Sequence, residues 1–151
     1  MNLGVYVPEV ALYHGGSAAK SFVYDYNCCI RARLGTTRPE KKDFWWVVRA
    51  DDEVISDVME EIVRHGLPFL ERFHSRERIL HELKDLTENI FLSPPRIVCA
   101  IILVAHGDIN AARKLLEAQS RETRNPKHPE YVRALAQRLG LGNLDSERIK
   151  N

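Results

Sequence analysis

The sequence predicts an α+β protein, a small antiparallel sheet followed by and packed against a layer of about five helices. Three observations carry this. Asn2-Leu3-Gly4-Val5-Tyr6-Val7-Pro8 and Cys28-Cys29-Ile30-Arg31-Ala32-Arg33-Leu34-Gly35 have the alternation of strands, and Phe44-Trp45-Trp46-Val47-Val48 is a β-prone apolar run. All three lie in the first third of the chain. After Asp51 the apolar residues recur at helical spacing instead.

In the first strand Leu3, Val5 and Val7 alternate with polar or small residues, and Pro8, which has no N–H for a ladder, is expected to end it. His14-Gly15-Gly16-Ser17 reads as the tip of a long hairpin. Residues 21–34 read as the returning strand, with Asp25 and Asn27 marking a bend. In its second half Ile30, Ala32 and Leu34 face one way and Cys29, Arg31 and Arg33 the other. Residues 35–42 read as a turn and 43–49 as a third strand. Trp45 and Trp46 then point to opposite faces, so at most one lies in the helix-packed core.

Helices follow. Asp51 or Asp52 is placed to cap one whose Val54, Ile55, Val58 and Ile62 form the buried stripe, with Gly66 as its stop. Pro68 opens a short turn over 67–73. Ser75 caps a helix striped by Ile79, Leu80, Leu83 and Leu86. Ser93-Pro94 starts another, and its run from Ile97 to Ala105 is apolar nearly all round, so it is expected to be the most buried element. Gly107 stops it and Asp108 caps the next, which Asn125-Pro126 breaks. Pro129 opens the last helix, carrying Val132, Leu135, Ala136 and Leu139 and ended by Gly140. The expected organisation is a single domain over 1–151: a sheet part at 1–50, a helical part at 51–141 and a flexible tail at 142–151.

Composition narrows the function classes without choosing one. A chain of 151 residues, 44% hydrophobic and 28% charged, is ordinary for a soluble globular domain. A net charge of +1 gives no overall attraction to nucleic acid or membrane. The charge is unevenly placed, however. Residues 1–50 hold seven Lys/Arg against four Asp/Glu, 51–90 five against eleven, and 91–151 ten against six. Cys28, Cys29 and Cys99 form no C-x-x-C pair, and adjacent strand cysteines are poorly placed to bridge, so a reducing, cytoplasmic compartment is expected. No signal sequence is visible. The longest apolar run, Ile97 to Ala105, falls far short of the ~20 residues that cross a bilayer, so no membrane partner is expected.

Catalytic signatures are missing. His81-Glu82-x-x-Asp85, with Glu77 one turn earlier, reads as surface pairing rather than a zinc set, so no metal and no cofactor is expected. Cys29 beside Arg31 has the composition of an activated thiol, but no histidine is tied to it by sequence. The most suggestive surface is the sheet face bearing Arg31 and Arg33, with Trp45 and Tyr6 or Tyr24 beside them. Arginine among aromatics is the composition of protein interfaces and of nucleic-acid platforms. The competing expectation is that both arginines pair with the acidic helix of 51–64.

The opening strand at 2–6, the Cys29 to Gly35 strand with its two arginines, the Trp45-Trp46 pair and Leu67-Pro68-Phe69-Leu70 together resemble the bacterial family of domain of unknown function 4304. The resemblance spans about residues 1–90, and the helical end more loosely. It implies the fold and nearly nothing of function. Members of that family carry a helix and one or more strands ahead of the Asn-Leu-Gly block, so the resemblance implies an N-terminally shortened member. Its first strand then offers an edge for self-association.

The expected function is therefore a non-enzymatic intracellular binding protein, of the immunity or inhibitor type, that binds a partner protein. The alternative is a nucleic-acid-associated module using the basic, aromatic sheet face. Enzymatic activity ranks third.

Overall fold

The computed structural model describes residues 1–17, 22–40, 42, 51–83, 90, 93–123 and 125–144. It is an α+β protein with a small antiparallel sheet, and it separates into two compact units. One comprises Met1–Tyr6 and Val23–Leu92, the other Val7–Phe22 and Ser93–Asn151.

In the first unit, strands β1 (Asn2–Val5) and β2 (Ile30–Arg33) pair antiparallel, with Leu3 opposite Ala32 and Gly4 opposite Arg31. Cys29 N–H to Val5 O at 3.2 Å and Leu34 N–H to Met1 O at 3.0 Å extend the ladder at both ends. The far edge of β2 is engaged as well, since Arg31 N–H donates to Ile90 O at 2.7 Å. The strand expected over residues 21–34 is thus confined to its second half. Asp25–Asn27 is a 3₁₀ turn, because the Asn27 side chain accepts from Tyr24 N–H at 3.0 Å and closes the chain on itself. A second 3₁₀ turn, Leu34–Thr37, follows β2. The third strand expected at 43–49, with Trp45 and Trp46, lies outside the described residues.

Helix α1 (Pro8–Tyr13) belongs to the other unit; α2 (Asp52–Glu61) is capped by Asp51, whose carboxylate accepts from Val54 N–H at 2.9 Å. Gly66 does not stop this helix. The chain continues through a π turn, Ile62–Gly66, into α3 (Leu67–Glu71), and Leu67 N–H reaches back to Ile62 O. Gly66 has ordinary right-handed helical angles. Its lack of a side chain serves packing: a Cβ there would lie 3.1 Å from Leu34 Cδ1 and 3.6 Å from Leu3 Cδ1. Ser75 caps α4 (Arg76–Glu82), accepting from Arg78 N–H. The core of this unit is Leu3, Cys28, Cys29, Ile30, Leu34, Phe69, Phe73, Ile79 and Leu83.

The second unit is helical. Here Pro8, expected only to end a strand, instead opens α1, as a proline at the first helical position does. The chain at 14–17 therefore leaves a helix and is not a hairpin tip. α1 buries Val10 and packs against α5 (Pro95–Ala105). α5 begins one residue later than expected, with Pro94 at its N-cap and no side-chain cap from Ser93. Its residues Ile97 to Ile102 are all buried, as its uniform hydrophobicity requires. Gly107, at φ +84°, turns the chain, and Asp108 caps α6 (Ile109–Glu122) by accepting from Ala111 N–H at 3.0 Å. α7 (His128–Arg138) completes the layer through Val132, Leu135 and Ala136. Leu141 and Leu144 are buried beyond it, with Arg113 donating to the carbonyls of Leu141 and Asn143.

Candidate functional site

Strand alternation places Arg31 and Arg33 two residues apart on one side of β2. Arg31 is half-buried and Arg33 exposed. Arg31 lies beside Asp25, on the 3₁₀ turn, with Nη1 and Oδ2 3.9 Å apart. Asp25 Oδ2 also accepts from Asn2 Nδ2 at 2.7 Å, so β1, β2 and the turn meet at one carboxylate. Tyr6 follows β1 and is half-buried. Trp45, the remaining residue of the expected face, lies outside the described residues.

The turn adds Tyr26, which strand reasoning misses, to Tyr24. Tyr24 and Tyr26 stack with ring centroids 5.1 Å apart and planes 7° from parallel. They are 51% and 64% exposed. Two tyrosines around an aspartate were legible as an aromatic cluster, but their stacking follows from the 3₁₀ turn that replaces an extended strand. Arg31 and this stack therefore adjoin the same aspartate.

Arg38 is an arginine that does pair with the acidic helix. Arg38 Nε donates to Glu61 Oε2 at 2.6 Å, and its Nη2 lies 2.5 Å from Oε1, a two-pronged clamp. Glu61 is buried. The hydrogen bond from Arg38 holds the Glu61 carboxyl below its ordinary value. A depressed carboxylate pKa means that the unfolded chain binds the proton more readily. The pair's contribution is thus present above the ordinary Glu range and is lost as pH falls through the folded-state value. Glu61→Gln is expected to lower the melting temperature at neutral pH and to shrink the wild-type advantage below about pH 4.5. Melting curves from pH 3 to 7 check this, and an unchanged difference across that range would contradict it.

Cys28 and Cys99 are unsuited to nucleophilic work. Cys28, Cys29 and Cys99 are free and buried. Burial raises the Cys28 thiol, Asp25 raises it further, and Arg31 opposes them more weakly. Cys29 Sγ lies 3.7 Å from Val5 O. Burial pushes the Cys99 thiol up to about 12. Reactive cysteines require the opposite shift. Among the described residues no group of three or more His, Cys, Asp or Glu is arranged to hold a metal ion.

In the second unit His14, His128 and Tyr131 come together. His14 Nδ1 is hydrogen-bonded to Tyr131 OH, and the His14 and Tyr131 rings meet edge to face at 5.6 Å. His128 lies beside Tyr131, and its Nε2 is 3.2 Å from Gln119 Nε2. Burial, then Arg138 and His128, lower the His14 pKa, so this ring is neutral near pH 7. Its tyrosine partner is raised by burial. The cluster ties α1 to α7. Its members lie too far apart in the chain for spacing to reveal them.

Among the described residues no helix is long and apolar enough to cross a membrane. No curated protein and no solved structure matches the chain. Residues 1–72, from β1 through α3, match the model of the family described as Domain of unknown function (DUF4304).

Proposed function

We propose that this chain is a non-enzymatic binding protein that docks a partner protein on the face formed by Arg31, Arg33, Tyr24 and Tyr26. The observation that carries the reading is the exposed Tyr24–Tyr26 stack beside the Asp25–Arg31 pair. Rigid aromatic rings and arginine are the residue types that dominate binding energy at protein interfaces. Asp25, between the tyrosines, favours a protein over a nucleic acid, since it sets a carboxylate where a phosphate backbone would have to pass. The three free, buried cysteines support a reducing, cytoplasmic setting. An immunity or inhibitor protein fits this description.

The experiment is capture from a lysate of the native host, with and without nuclease treatment, by the full chain and by its Arg31→Ala, Arg33→Ala variant. A protein retained by the wild type and lost by the variant is expected. Capture that disappears on nuclease treatment and falls steeply with salt would favour the nucleic-acid module instead. A wild-type chain that sediments as a dimer and captures nothing would favour self-association through β1.

A further inference from the structure

The structure assigns a second docking surface, distinct from the aromatic face and independent of it: we propose that Ile55, Met59, Val63 and Leu67 receive a basic amphipathic helix. These four large apolar residues are each between 52% and 59% exposed. They recur at every fourth position along α2, the π turn and the start of α3. Ile55 was expected in the buried stripe. The inward side is taken instead by half-buried Val54, Val58 and Ile62 and by buried Glu61 and Gly66.

The π turn gives the strip its shape. In an uninterrupted α-helix, residues four apart rotate by about 40° at each step, so a strip of this spacing would wind around the axis. The wider π turn takes more residues per turn and cancels that drift. Met59, Val63 and Leu67 therefore stay on one side. Gly66, seated against Leu34 and Leu3, fixes that side away from the sheet. The strip spans roughly 18 Å, the length of about 12 helical residues.

Charge selects the occupant. Asp51, Asp52, Glu53, Asp57 and Glu60 lie on this element beside the strip, against one cation over residues 51–67, Arg64, which pairs with Glu60, while Glu61 faces inward to Arg38. A second copy brought up symmetrically would set these acids against each other. An incoming helix with an aliphatic ridge flanked by Lys and Arg meets both the apolar strip and its acidic border. Met59 at the centre suits a ridge of variable shape. The whole strip lies within the residues that match the family.

The test titrates the full chain into two fluorescein-labelled amphipathic peptides with the same Leu ridge, one flanked by Lys and Arg, the other by Glu. Saturable binding of the basic peptide alone is expected. Met59→Ser with Val63→Ser should weaken it at least about tenfold. Because both residues are exposed, the melting temperature should hold. Asp52→Asn with Glu53→Gln leaves the strip intact and should reduce both the affinity and its salt dependence. The Arg31→Ala, Arg33→Ala variant should bind the basic peptide as the wild type does, which separates this surface from the aromatic face. Equal binding of both peptides would overturn the proposal, as would basic-peptide binding that survives the serine substitutions. A wild-type dimer made monomeric by those substitutions would assign the strip to a second copy and overturn it too.

Discussion

Ile102→Ala should destabilise the helical unit by about 2–5 kcal/mol. The residue is fully buried at the centre of α5, in a run in which every side chain from Ile97 to Ile102 is buried. Truncation removes three heavy atoms from contact on all sides, and neighbouring helices cannot close the void without disturbing one another. Ile101→Ala should behave alike, since that side chain is also buried. Ile109→Ala, one helix later and exposed, should stay within about 0.5 kcal/mol of the wild type. Urea denaturation of the three variants provides the comparison. An Ile102→Ala midpoint no lower than that of Ile109→Ala would show that α5 is not the centre of the core.

Gly4→Val should cost about 3 kcal/mol, the upper part of the range for forcing bulk into a packed site. A Cβ at Gly4 would lie 2.6 Å from Cys28 Sγ and 2.9 Å from Cys28 Cβ. Cys28 cannot easily retreat. Its N–H is bonded to Asp25 O at 3.1 Å, and the next residue is bonded to Val5. Adding Cys28→Ala removes the closer atom and leaves the Cβ contact, so it should restore part of the loss. Thermal melts of the single and double variants test this. Equal melting temperatures for Gly4→Val and the wild type would mean that β1 and the Cys28 segment do not meet as described.

Much of the fold was legible because its signals are local. Asp51, Ser75 and Asp108 cap helices through their own side chains three residues ahead. The apolar run from Ile97 announced its own burial as far as Ile102, beyond which Leu103 and Val104 are half-buried and Ala105 exposed. The errors arise where one residue type serves two purposes. Pro8 stops a strand but also suits the first turn of a helix, and here it opens α1. Gly66 can end a helix but also allows close approach, and here it lets the π turn sit against Leu34. Long-range pairing was beyond the reach of periodicity. Arg38 and Glu61, 23 residues apart, form an ion pair that no local spacing announces. For the candidate face, alternation correctly set both arginines on one side of β2, but the Tyr24–Tyr26 stack depends on a turn that the strand reading of 21–34 concealed.

The most direct measurement of the binding role is calorimetric titration of the captured partner into the Arg31→Ala, Arg33→Ala variant, run beside its thermal melt. The predicted result is an unchanged melting temperature with affinity reduced by about 2 kcal/mol or more. Unchanged affinity, or a loss of affinity matched by a lowered melting temperature, would contradict a docking role for this face.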